Sequence, residues 1–196
     1  FDDAGQINTA RLVDLDGAPA VQPPWPRAAR ITGDGSVLIA GGGFLAQLDA
    51  GLSTAWHHRY ASDISFEDLT LAVDGRVITT GTYTGSFEPG GGAAPVTGNH
   101  AGFLAQLDGP AIVWSETLGG DVETTALSVV SRLDGTLVIG GTQAGGGSLI
   151  SGLGVSEPTG FFANRFDDGT VTSTFFGAGA RAPAPRCAAW PPPAAR

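Results

Sequence analysis

Lysine and methionine are absent from this 196-residue chain, and cysteine occurs once, at Cys187. A lone cysteine excludes an intrachain disulfide and a thiolate metal cluster. Without lysine there is no Gly-Lys-Ser/Thr phosphate loop, so the runs Gly90-Gly91-Gly92 and Gly145-Gly146-Gly147 are not nucleotide cradles. Charged residues make up only 15% and sum to a net charge of −9. An acidic chain whose cations are ten arginines without a cluster argues against nucleic acid and anionic membrane surfaces as partners. No uninterrupted apolar run is long enough to cross a membrane as a helix. Amphipathic helical patterning is missing too, as is a Gly-x-Ser-x-Gly nucleophile elbow.

Glycine is abundant, at 31 residues, yet follows no Gly-X-Y period, which excludes collagen. The chain repeats itself instead. Phe44-Leu45-Ala46-Gln47-Leu48-Asp49 recurs letter for letter at 103–108, 59 residues later, and Phe162-Ala163-Asn164-Arg165-Phe166-Asp167 reads as a degenerate third copy after another 59. Asp34-Gly35, Asp74-Gly75 and Asp134-Gly135 each precede an apolar run closed by glycine, at Gly41, Gly81 and Gly140. A fixed period of this size signals one supersecondary unit used several times.

Each unit reads as four strands. In the second, 68–73 leads through Asp74-Gly75 into 76–83, a glycine-rich loop spans 84–100, and 102–108 turns at Gly109-Pro110 into 111–118. Asp-Gly between apolar runs is a strong hairpin signal, because both residues can adopt positive φ. The expected fold is all-β: a β-propeller-type array of four-stranded antiparallel blades, partial, with about three blades and a fragment. The expected boundaries are 1–26 for the end of a preceding blade and its link, 27–62, 63–120 and 121–178 for three blades, and 179–196 for a Pro/Ala/Arg-rich tail. A β-solenoid and a sandwich are the other readings of the same strands.

Three motifs carry a resemblance: Ala72 to Ile78, the Phe-Leu-Ala-Gln-Leu-Asp strand, and Trp114-Ser115-Glu116-Thr117-Leu118-Gly119-Gly120. Thr82 to Phe87, ahead of a glycine-rich loop, fits the same pattern. Over residues 28–177 the unit resembles the bacterial β-propeller repeats often called SBBP-type. The resemblance implies secreted or surface-exposed bacterial proteins, and it defines no catalytic residues to carry over. Propellers need about 4–8 blades to close, so the remaining blades of a longer chain, or self-association, are expected. The tail 181–196 breaks the pattern abruptly, as a Pro-rich linker or as out-of-frame translation of GC-rich codons does. A truncated or frame-shifted product is the favoured expectation.

In an up-and-down meander the long loops 84–100 and 143–160 share an end with the links between units. Binding residues concentrate in loops on rigid scaffolds, so the ligand-binding candidates are Asp63, Glu67, Glu88, His100, Asp121, Glu123 and Glu157. The same acids also read as ordinary solvated charges. No catalytic residue, metal ligand or cofactor is assigned. Asp14-Leu15-Asp16-Gly17 supplies only two carboxylates, where Ca²⁺ takes about 6–8 oxygens. His57 and His58 are adjacent on a strand and point to opposite faces. Trp56 and Trp114 hold one register in successive units, as core residues between blades or, less simply, as sugar platforms.

Two functions follow. The first is a non-enzymatic extracellular or cell-surface scaffold that binds a protein or glycan partner. The alternative is part of a propeller enzyme, a polysaccharide lyase or glycoside hydrolase, using acids of the long-loop face; glycoside hydrolysis needs a spaced carboxylate pair.

Overall fold

The computed structural model describes residues 25–60, 63–85, 96–119, 123–144, 159–165 and 171–177. Among these, every regular element is a strand, and the twelve strands form three four-stranded antiparallel sheets. The first sheet is β1 (Pro26–Ile31), β2 (Val37–Gly41), β3 (Phe44–Leu48) and β4 (Thr54–Arg59). The second is β5 (Ile64–Leu71), β6 (Val77–Gly85), β7 (Val96–Asp108) and β8 (Ala111–Leu118). The third is β9 (Thr124–Ser131), β10 (Leu137–Gln143), β11 (Thr159–Arg165) and β12 (Val171–Gly177). Within each sheet, strands pair in chain order, as the meander reading expects. No described helix is long and apolar enough to cross a membrane.

The Asp-Gly hairpins form, but not as two-residue turns. Gly35, Gly75 and Gly135 have φ of 82°, 84° and 84°, whereas their aspartates are not left-handed. Thr32 N–H bonds to the Ser36 carbonyl at 2.9 Å, and Ala72–Arg76 and Arg132–Thr136 repeat that bond. Each connection is therefore a three-residue loop with glycine alone at the left-handed position. The aspartate caps it from the side, its Oδ1 accepting the N–H two residues on, at Ser36 (3.1 Å), Arg76 (3.1 Å) and Thr136 (3.0 Å).

The first strand of every sheet carries a bulge at one place, at Arg27, Glu67 and Leu127, where two residues oppose one partner. The bulge pushes a carbonyl over the glycine of the next strand. A Cβ on Gly81 would lie 2.0 Å from the Ser65 carbonyl oxygen and 2.6 Å from the Phe103 ring. Gly41 under Phe44 and Gly141 under Phe161 are crowded in the same way. This corrects the third repeat by one residue. Phe161, not Phe162, pairs with the conformationally required glycine, and that glycine is Gly141, not Gly140. Phe161 is buried while Phe162 is 51% exposed, because a one-residue shift along a strand exchanges its faces.

The sheets stack in sequence. β5 packs across β1 and β2, and β9 packs across β5, β6 and β7. The first joint encloses Leu38, Leu45, Phe66, Leu69, Phe103 and Leu107, with Trp56 against them. The second encloses Ile78, Leu104, Val129, Leu137, Ile139 and Phe161, with Trp114 against them. Both tryptophans serve the joints, as the core reading expects.

Candidate functional site

The first strands of the three sheets are tied to one another by polar side chains. Arg27 Nη1 reaches Glu67 Oε2 at 2.7 Å and Arg30 Nη2 reaches Asp68 Oδ1 at 2.8 Å. Asp68 also accepts the N–H of Leu69 on Oδ1 (2.8 Å) and that of Val129, in the third sheet, on Oδ2 (3.0 Å). One carboxylate thus touches all three sheets. Glu67, expected on the long-loop face, is the bulge residue inside β5; it also accepts a bond from Ser65 Oγ at 2.8 Å, so its carboxylate is engaged in structure.

The other described candidates do lie at the loop-and-link end. Asp63 and Glu123 hold equivalent places at the entry to β5 and β9, where their carbonyls accept the amides of Thr84 (3.1 Å) and Ala144 (2.8 Å). His100 Nδ1 and Thr84 Oγ1 are 2.8 Å apart. The structure therefore brings Asp63 and His100 together around Thr84, and places Glu123 on the neighbouring sheet. No group of three or more potential metal-holding side chains forms among the described residues. Glu88, Asp121, Glu157, Asp14, Asp16, Cys187, most of the expected 1–26 segment and the 179–196 tail lie outside the described residues.

Among the described residues, two clefts lie at the opposite, short-turn end, between the second and third sheets. A cleft of about 170 Å³ is lined by Arg76, Ile78, Gln106, Trp114, Leu137 and Arg165. A wider cleft of about 340 Å³ shares Ala72, Arg76 and Gly135 with it and adds Asp74 and Asp134. Gln106 Oε1 accepts both Trp114 Nε1 (2.8 Å) and Arg76 Nη1 (3.0 Å). The Nε of Arg76 bonds to Asp74 Oδ2. Arg165 stacks over the Trp114 ring, Cζ to centroid 4.5 Å, and pairs through Nε with Glu116 Oε2 at 2.9 Å.

The first joint has the same frame with different contents. There Trp56 Nε1 bonds to Gln47 Oε1 at 2.7 Å, as Trp114 does to Gln106. Ser36 stands at the position of Arg76, each two residues past the turn aspartate. Leu107 stands at the position of Arg165, opposite Val77 and Leu137 respectively in the ladders. Ser36 and Leu107 are both buried. Two positions that are buried in the first joint are thus arginines in the second. Sequence reading missed this cleft. Its signal was the pair of arginines breaking an otherwise repeated pattern, hidden for Arg165 by the one-residue slip of the third copy.

The turn aspartates carry shifted acidities. A bond from the Thr32 hydroxyl, and then one from the Ser36 amide, hold the Asp34 carboxyl below its usual range. The Arg76 and Thr136 amides do the same for Asp74 and Asp134.

No family model matches the chain. No curated protein matches it. Among solved structures it is similar to a protein of unknown function from Bacteroides caccae, with a TM-score of 0.45 and 8% identity, over 82% of this chain and 64% of that one.

Proposed function

We propose that this chain is a non-enzymatic scaffold and binding module of the β-propeller type, displayed outside the cell or on its surface. The observation that carries the reading is the repeated joint. The first strand of one sheet lies across the preceding sheet, and the same glycine–phenylalanine pair recurs in each sheet. The outward face of the third sheet supports it further. Phe162 and Val130 there are 51% and 59% exposed, whereas Leu104, which corresponds to Phe162 in the second sheet, is fully buried under the third. Apolar surface of this kind marks an interaction site. The repeat's resemblance to secreted bacterial propeller repeats supports the location.

Light scattering over a concentration series tests the scaffold reading. The chain is expected to associate through the open face, and Phe162→Asp is expected to leave it monomeric with an unchanged far-ultraviolet spectrum. A wild-type chain that stays monomeric throughout overturns the open-face reading.

A further inference from the structure

We infer that the cleft between the second and third sheets binds a sugar acid, a polyhydroxylated ring bearing a carboxylate, an inference that rests on reading the chain as a binding module. The two joints share a frame and differ at two positions. Both are built on one Gln–Trp hydrogen bond, and the first has the buried residues Ser36 and Leu107 at the two positions that differ. The second replaces those two residues with Arg76 and Arg165 and has a cleft of about 170 Å³ between them.

The donors in that cleft are arranged for a planar anion. A guanidinium has five N–H donors. Arg165 commits Nε to Glu116, and its Cζ lies over the Trp114 ring, 4.5 Å from the centroid. Arg76 commits Nε to Asp74 and Nη1 to Gln106. The remaining η nitrogens, with the Gln106 amide Nε2, form a donor-rich pole suited to the forked geometry of a carboxylate. The Gln106 oxygen already takes two donors, so it does not oppose an anion there.

The adjoining cleft has the opposite character. Asp74 and Asp134 line it, and hydrogen bonds to the turn amides keep both ionised. With Glu116, and with Arg132, whose charge acts on Asp134, three carboxylates offset three guanidiniums, so a bare inorganic anion or a short-chain carboxylate gains little. A sugar acid satisfies both poles at once: its carboxylate meets Arg76, Arg165 and Gln106, and its hydroxyls donate to Asp74 and Asp134. Such a group arises as a free acid or as a uronate unit within a glycan.

The test uses the whole chain, titrated with D-glucuronate, trigalacturonate, glucose and acetate. Calorimetry reads affinity, and the indole N–H resonance of Trp114 reads location, with Trp56 in the first joint as internal reference. The expected result is that a uronate shifts Trp114 and leaves Trp56 unmoved, while glucose and acetate bind at least tenfold more weakly. Trigalacturonate binding over tenfold tighter than glucuronate identifies a glycan as the source, and equal binding identifies the free acid. The double variant Arg76→Ser, Arg165→Leu installs the first joint's residues and is expected to lose uronate binding tenfold or more with its fold kept; Arg76→Gln, a milder change, is expected to weaken it. Equal response to glucose, a silent Trp114, or undiminished binding in the double variant overturns the proposal. Phe162 lies outside the cleft, so the Phe162→Asp result bears on the scaffold reading alone.

Discussion

Gly81 is the residue at which the repeat is least able to change. Its missing side chain leaves room for the Ser65 carbonyl on one side and the Phe103 ring on the other. Gly81→Ala is expected to cost roughly 1–3 kcal/mol through overpacking of a rigid core, read as a lower urea midpoint. Gly33→Ala, where an added Cβ meets nothing within 4 Å, is the matched control and is expected to stay within about 0.5 kcal/mol. The turn aspartates set a second residue-scale property. Their carboxyls titrate below the ordinary 3.8 in the folded chain because turn hydrogen bonds favour the charged form. A depressed folded pKa contributes stability that is present above the unfolded value and lost as pH falls through the folded value. The melting temperature is therefore expected to fall below about pH 4. Replacing Asp34, Asp74 and Asp134 together by Asn, which keeps an acceptor but cannot titrate, is expected to flatten that decline; an unaltered decline locates the acid sensitivity elsewhere.

At the scale of elements, the three first strands are joined by side chains rather than by backbone ladders, and Asp68 is the node. It holds the Arg30 guanidinium and the Val129 amide, one from each flanking sheet. Asp68→Ala is expected to cost about 1–3 kcal/mol, in the range of hydrogen bonds to a charged group, with Arg30 half exposed and so partly compensated by water. Denaturant unfolding checks the value. A neutral outcome shows that apolar packing alone sets the order of the sheets. Nothing in the sequence singled out Asp68, because Ala28 and Ser128 fill its place in the other two sheets. By contrast, the strand order within each sheet was legible, since apolar runs repeated at one period and joined by short turns such as Asp74-Gly75 and Gly109-Pro110 leave little choice but a meander.

For the whole molecule, the proposed association rests on one face of the third sheet. Val130 and Phe162 are exposed there, while Leu104 and Ile78 on the corresponding surface of the second sheet are covered by the third. Apolar burial weakens little with salt, whereas charge pairing between surfaces is screened within about 10 Å at 0.1 M. The association that Phe162→Asp removes is therefore expected to persist when ionic strength is raised. Association that dissolves in salt instead points to the charged edge of β1, with Arg27 and Arg30, as the contact.

The all-β class, the period and the order of strands within each sheet were legible in the chain alone, because they depend on repeated apolar runs and on turn residues that act over a few positions. The sequence also identified Asp63, His100 and Glu123 as sharing one end, which follows from strand polarity alone. Everything that depends on which face a residue occupies was set by the three-dimensional fold. It set the third copy at Phe161 rather than Phe162, drew Glu67 into an ion pair with Arg27, and brought Arg76 and Arg165, 89 residues apart, to one cleft. A strand's side chains alternate, so a bulge or a slip of one residue sends each of them to the opposite side of the sheet. Only the packing of sheet on sheet then determines which of those sides is filled and which is left open.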